Sequence, residues 1–172
     1  MIIYNFIKTT ITKIITCNCK NKSEKYNLKS YEELSFDKKI NVILDLDSTL
    51  IYSSLAKIDN IKDYILLNKQ LFVYKRPYLN KFLNEISQYC DLTIYTSASK
   101  DYADQIINFI DKNRVITQRY YRNHCVKKND LHIKDVSKFS LDEKKLVIID
   151  DFPECHKGCL GINNYYLYLK II

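Results

Sequence analysis

The sequence predicts an α/β fold built on a central parallel sheet, and three observations carry that prediction. Two short apolar runs, residues 40–44 and 146–149, each end in acids: Asp45-Leu46-Asp47 after the first and Asp150-Asp151 after the second. An apolar run of this length with polar bounds reads as a strand buried on both faces, as in a parallel sheet covered by helices. Strand-like and helix-like segments alternate along the rest of the chain, which implies right-handed crossovers. Both acid pairs therefore arrive at the carboxyl ends of strands, where open α/β sheets bind their ligands.

The elements follow in chain order. The first 23 residues hold four lysines and no acid, with Ile3, Phe6, Ile7, Ile11, Ile14 and Ile15 at helical spacing. That pattern predicts a basic amphipathic helix, which either packs on the domain or, as an alternative, gives weak membrane association through residues 1–17 or a mitochondrial presequence. Lys8 and Lys13 interrupt the apolar span, so it is too short to cross a bilayer. Asn18 to Lys39 is polar and reads as a linker, which divides the chain into a basic segment over 1–38 and a domain over 39–172. Strands are expected at about 40–45, 91–96, 115–121, 145–150 and 164–169. Helices are expected at 77–90, with Pro77 in the first turn, at 99–112 and at 135–139. Tyr64-Ile65-Leu66-Leu67 and Leu71-Phe72-Val73-Tyr74 flank Asn68-Lys69-Gln70, a small β-hairpin insertion after the first strand that would overhang the site and help select substrate.

The 172 residues suffice for one well-buried domain, and an apolar fraction of 47% with 27% charged residues excludes collagen, coiled coil and wholesale disorder. The net charge of +7 favours anionic partners. The tyrosines lie inside strand- or helix-like segments and not on a base-stacking platform, so no direct nucleic-acid binding is expected. The six cysteines read as reduced thiols of an intracellular protein, nuclear or cytoplasmic rather than mitochondrial. Cys17-x-Cys19 with Cys155-His156-x-x-Cys159 fits no standard zinc spacing, and the bland reading is unpaired cysteines. His124, His132 and His156 read as packing or surface residues.

The four acids would repel one another strongly unless a cation sits among them, and hard oxygen ligands suit Mg²⁺. Asp45 and Asp47 point the same way on an extended segment while Leu46 points into the core. One carboxylate is placed to attack phosphorus and the other to handle the leaving-group proton. Thr96 ends the strand-like Leu92-Thr93-Ile94-Tyr95, which brings its hydroxyl to the same sheet edge, and Lys134 offers a cation for phosphate oxygens.

Asp45-Leu46-Asp47-Ser48-Thr49-Leu50 resembles the first motif of haloacid-dehalogenase-type phosphatases. Lys75-Arg76-Pro77, Tyr95-Thr96-Ser97-Ala98-Ser99, Tyr102-Ala103-Asp104, Arg122 with Cys125, Lys134-Asp135-Val136-Ser137 and Ile149-Asp150-Asp151-Phe152-Pro153 recur in the order of one branch. That branch is the NLI-interacting-factor-like phosphatases, which dephosphorylate the C-terminal repeats of RNA polymerase II. The resemblance covers about residues 40–160. It implies a three-layer, Rossmann-like haloacid-dehalogenase fold and an Mg²⁺-dependent phosphoserine/phosphothreonine protein phosphatase working through an aspartyl-phosphate. By position, Asp45 resembles the nucleophile, Asp47 the acid/base, and Thr96 and Lys134 the phosphate binders. Asp45, Asp150, Asp151 and the backbone carbonyl of Asp47 resemble the metal ligands. Arg76 and Arg122 sit at family-typical positions, where each either holds the sheet edge or reaches substrate. Many relatives carry Asp-Asn where this chain has Asp150-Asp151, and both supply an oxygen ligand. Two alternatives stay open: a binding subunit like the receptor of the mitochondrial inner-membrane translocase, and the same chemistry on a non-protein phosphate.

Overall fold

A computed structural model describes residues 40–139, 146–152, 155–157 and 165–168. The N-terminal expectations (amphipathic helix, linker, Cys17 and Cys19) and those for Gly158, Cys159 and Gly161 lie outside the described residues. Among the described residues no helix is long and apolar enough to cross a membrane.

The strands are β1 (Ile40–Leu44), β2 (Ile51–Ser54), β3 (Tyr64–Leu67), β4 (Leu71–Lys75), β5 (Cys90–Tyr95), β6 (Ile116–Tyr120), β7 (Val126–Lys128), β8 (Leu131–Asp135), β9 (Leu146–Asp150), β10 (His156–Lys157) and β11 (Tyr165–Tyr168). The helices are α1 (Leu79–Ile86) and α2 (Lys100–Ile110), with 3-10 turns at Arg122–His124 and Val136–Phe139. The central sheet has the order β11-β9-β1-β5-β6, and every pairing in it is parallel. The α/β reading with a parallel centre therefore holds.

Strand parity sorts the core. Val42, Leu44, Leu92, Ile94, Val147 and Ile149 face one way and join the core with α1 and α2. Those helices contribute Leu79, Phe82, Leu83 and Ile86, and Ala103, Ile106, Ile107 and Ile110, the three-and-four spacing of an apolar stripe. Ile43, Tyr95 and Ile148 face the other way and pack with Val136, Phe139 and Tyr120. A strand so buried on both faces has no polar alternation, which is why its sequence reads as a continuous apolar run.

Several boundaries differ from expectation for local reasons. α1 runs Leu79–Ile86 rather than 77–90, because Tyr78 is left-handed (φ 67°). Arg76 to Leu79 instead form a turn with Pro77 second and the positive φ third, closed by a Leu79 N–H to Arg76 carbonyl bond of 3.1 Å. Residues 136–139 are a 3-10 turn, not an α-helix. Its first turn is held by Asp135, which accepts from the Ser137 N–H (3.2 Å) and hydroxyl (2.5 Å). β3 and β4 pair antiparallel through Asn68 and Lys69, both left-handed (φ 48° and 60°), as in a type I′ turn. β2 adds a third strand to this insertion, in the order β2-β4-β3. A further small sheet, β10-β8-β7, flanks the central one and carries Lys134 on its middle strand.

Candidate active site

Registry delivers the acids. Leu44 lies opposite Ile149 on β9 and Ile94 on β5, so Asp45, Asp150 and the Tyr95-Thr96 pair reach one sheet edge together. The Asp45 N–H donates to the Ile149 carbonyl (2.9 Å), which locks the first acid beside the strand that ends in the second pair. After Asp45 the chain turns sharply. Leu46 is fully buried and its carbonyl accepts from the N–H groups of Leu50 (2.9 Å) and Ile51 (3.1 Å). Ser48 takes a left-handed conformation (φ 61°) to close that turn.

Lys134 is the hub. Its Nζ donates to Asp45 Oδ1 (2.5 Å) and to Asp150 Oδ2 (2.6 Å), although its side chain is only 3% exposed. Three segments far apart in sequence thus meet on one ammonium. Burial acts against the Lys134 charge, but the two carboxylates outweigh it and hold its pKa above the ordinary lysine range. Burial pushes the Asp45 carboxyl up to about 7, aided by the Asp150 charge and opposed by Lys134. Asp150 is driven to about 2: burial raises it, but hydrogen bonds from His156 and Lys134 and the Lys134 charge prevail. The Phe152 N–H completes its shell at Oδ1 (2.8 Å).

The two outer acids are held differently. Tyr102 on α2 donates its hydroxyl to Asp47 Oδ1 at 2.6 Å. Burial raises the Asp47 carboxyl above the ordinary range, and the Tyr102 bond and Lys134 counter it. Asp151 accepts from the Thr49 hydroxyl (3.4 Å), while its own N–H donates to Thr49 Oγ1 (3.1 Å). Burial and the Asp150 charge raise the Asp151 carboxyl. Arg76 binds the turn from the insertion side, with Nε to the Thr49 carbonyl (2.5 Å) and Nη2 to the Ser48 carbonyl. Arg122 Nε donates to the Ser97 carbonyl (2.7 Å). Of the two roles open to these arginines, both make the loop-holding contacts.

Thr96 is buried at the same sheet edge, just after β5, and its Oγ1 accepts the Ala98 N–H (3.1 Å), which folds the chain sharply there. Oxygen atoms of Asp45, Asp150 and Asp151 lie within 4.8 Å of one another. The Asp47 side chain is outside that group. The donor set is hard oxygen, and its carboxylates outnumber the cations beside them, Lys134 and Arg76; it fits Mg²⁺.

Sequence reasoning missed three contacts. Tyr102 and Thr49 reach the acids only through tertiary folding. His156, read as packing or surface, puts Nε2 2.8 Å from Asp150 Oδ2, because β10 pairs with β8 with His156 opposite Lys134.

The model of the NLI interacting factor-like phosphatase family matches residues 40–166. A CTD small phosphatase-like protein 2 of Dictyostelium discoideum is 35% identical over 121 residues, 67% of this chain and 21% of that protein. The carboxy-terminal domain RNA polymerase II polypeptide A small phosphatase 2 of Mus musculus is 33% identical over 121 residues, 67% of this chain and 44% of that protein. This chain thus spans less than half the length of either relative. The structure of Fcp1, an essential RNA polymerase II CTD phosphatase, superposes with a TM-score of 0.58 at 22% identity, over 68% of this chain and 38% of that one, a likeness of fold.

Proposed function

The chain belongs to the NLI interacting factor-like phosphatase family, and from that premise we propose that it is an Mg²⁺-dependent phosphatase of phosphoserine or phosphothreonine in proteins, with its catalytic domain over 39–172. The observation that carries the reading is Lys134 bridging Asp45 and Asp150 at 2.5 and 2.6 Å, at the sheet edge that also ends in Thr96. Structural acids on a surface have no reason to share one buried ammonium, whereas a phosphoryl group needs a nucleophile and a cation side by side.

Each residue has a role in this scheme. Asp45 Oδ attacks phosphorus, and the bond to the serine or threonine oxygen breaks. Asp47, whose protonated form is favoured by burial, delivers its proton to that leaving oxygen. The covalent aspartyl-phosphate is then cleared by water, which gives a proton back to Asp47 as it attacks phosphorus and frees Asp45. Lys134 and the Thr96 hydroxyl hold phosphoryl oxygens. Asp45, Asp150, Asp151 and the Asp47 carbonyl would hold Mg²⁺, which supplies charge neutralisation to the transferring group and keeps Asp45 ionised. Tyr102 fixes the direction of the Asp47 carboxyl, and Arg76 fixes the turn that carries it.

The substrate follows by analogy with the relatives, whose names specify the RNA polymerase II C-terminal domain; an intracellular location and a phosphoprotein partner belong to the same proposal. The test is hydrolysis of p-nitrophenyl phosphate by the full chain with Mg²⁺. EDTA and Asp45→Asn should each abolish turnover, and full activity in Asp45→Asn would refute the scheme. A panel of polymerase-tail phosphopeptides, nucleotides and phosphatidate compared by kcat/KM then decides the carrier. The phosphopeptides should lead, and a nucleotide or lipid in first place would overturn the protein substrate.

A further inference from the structure

Behind the catalytic acids lies a cluster of which the phosphatase scheme uses only Asp150, leaving Cys155 and His156 without a part. Oxygen, sulfur and nitrogen atoms of Asp150, Cys155 and His156 lie within 4.8 Å of one another. Asp150 Oδ2 is 3.6 Å from Cys155 Sγ and 2.8 Å from His156 Nε2. The Asp150 and His156 side chains are 3% and 2% exposed, and Cys155 is buried. The local fold makes the cluster: Asp150 ends β9, and Cys155 immediately precedes His156, the first residue of β10, which docks on β8.

We propose that Asp150, Cys155 and His156 form a second cation site, selective for a thiophilic divalent ion of the Zn²⁺ type, whose occupation draws Asp150 away from Lys134. Carboxylate, thiolate and imidazole are a mixed set of the kind that zinc takes in tetrahedral sites. Bond lengths of that geometry place ligand atoms roughly 3.3–3.6 Å apart. The oxygen–sulfur separation already matches, and the oxygen–nitrogen pair opens by about half an ångström as the shared hydrogen gives way to the ion. Binding releases the Cys155 thiol proton to solvent, and the imidazole coordinates through Nε2 with its hydrogen on Nδ1. Mg²⁺ prefers oxygen ligands and does not compete for sulfur.

The consequence comes from sharing an atom. Asp150 Oδ2 is the oxygen that Lys134 holds at 2.6 Å. A cation bound there both displaces and repels the ammonium, so Lys134 swings toward Asp45 alone. On the phosphatase reading, zinc is therefore an inhibitor that acts beside the Mg²⁺ ligands and through one of them.

The binding half is tested without reference to activity, so its failure is distinct from failure of the phosphatase reading. Co²⁺ serves as a spectroscopic stand-in, added to the reduced full chain with excess Mg²⁺ present. A single equivalent should give tetrahedral visible bands and a sulfur-to-cobalt charge-transfer band, both removed by Zn²⁺. Cys155→Ser should lose the charge-transfer band, and His156→Gln should weaken binding about tenfold or more. A charge-transfer band that persists in Cys155→Ser, or no saturable uptake, overturns the site. X-ray absorption of the zinc-loaded unmodified protein decides the matter even if the variants fold poorly: one sulfur among nitrogen and oxygen ligands supports it, and none, or two or more, overturns it. The inhibition half is read as a fall of about tenfold in Mg²⁺-supported hydrolysis on zinc loading, relieved in Cys155→Ser. Full activity with zinc bound would overturn that half alone.

Discussion

The floor of the site and its rim each take one acid from the end of β1 and one from the end of β9, yet they hold them by different means. On the floor, Asp45 and Asp150 are buried and share the Lys134 ammonium. On the rim, Asp47 and Asp151 are held by hydroxyls, from Tyr102 and Thr49. Charge pairs in a dry interior are strong when intact and costly when broken. Hydroxyl bonds at a half-open edge orient a carboxyl at modest energy and leave it accessible. In the proposed scheme the difference separates two duties: the floor fixes where negative charge sits, and the rim aims groups that would exchange protons or ligands with substrate.

The largest expected effect breaks the floor. Lys134→Met leaves Asp45 and Asp150 side by side in the interior without their cation. Removing one partner of a buried ion cluster costs about 3–5 kcal/mol. Urea unfolding of the metal-free variant should show a loss of that size, and phosphatase activity should fall to background. A variant as stable as its parent would mean that Lys134 and the two acids are far less desolvated than their burial indicates.

Asp45→Asn is expected to behave in the opposite way, abolishing turnover while raising stability. The Asp45 carboxyl is pushed up to about 7, chiefly by burial. A carboxyl whose folded pKa exceeds its unfolded value binds protons more tightly in the folded state, so its ionisation opposes folding. That penalty is absent below about pH 4 and is fully developed only above about pH 7. In metal-free protein, the melting temperature of Asp45→Asn should therefore rise relative to the parent as pH climbs through this window. A constant gap between the two would assign the stability change to packing instead.

The rim comes next. Tyr102→Phe deletes the hydroxyl that binds Asp47 and keeps the ring. A hydrogen bond to a charged group is worth about 1.5–3 kcal/mol, which corresponds to a fall in kcat of roughly tenfold to a hundredfold if all of it acts in the transition state. KM should change little, because in the proposed scheme Asp47 handles protons and does not bind the phosphate. A rise in KM with unchanged kcat would move Tyr102 from aiming Asp47 to shaping the substrate pocket.

The floor was more legible in the sequence than the rim. β1 and β9 are apolar runs buried on both faces, and the acids stand at their carboxyl ends, so their place in a parallel sheet brings Asp45 and Asp150 to one edge. Lys134 was found by resemblance and position. Its strand was not anticipated: β7 and β8 are short, and Val126, Lys127, Lys128 and Leu131 are exposed, which blurs any strand period. β2 was missed for a similar reason, with Tyr52 exposed and two serines following. The rim contacts join residues 55 and 102 positions apart, and no local pattern encodes such pairs. The contact of His156 with Asp150 left no local signal, because it depends on a two-residue strand, β10, too short to show a period.

The smallest effect comes from an acid outside both regions, which calibrates them. Asp104 sits on α2 two residues beyond Tyr102 and accepts at Oδ1 from the Tyr121 hydroxyl (2.6 Å) and Arg119 Nη1 (3.0 Å), and at Oδ2 from Lys100. Burial raises its carboxyl, but the bonds from Lys100, Tyr121 and Arg119 together win and lower it to about 2. The sign is the reverse of that for Asp45: a depressed folded pKa adds stability above the unfolded value near 4, and this is lost as pH falls toward about 2. Solvent screens the exposed Lys100, so the gain is about 1 kcal/mol and not the full value of the shift. Asp104→Asn should thus lower stability by that amount at pH 7, converge with its parent between about pH 4 and pH 2, and leave kcat untouched. A drop in kcat would show that the staple from α2 to β6 also sets the position of Tyr102, and that the rim extends one helical turn further from the chemistry than its hydroxyl contacts imply.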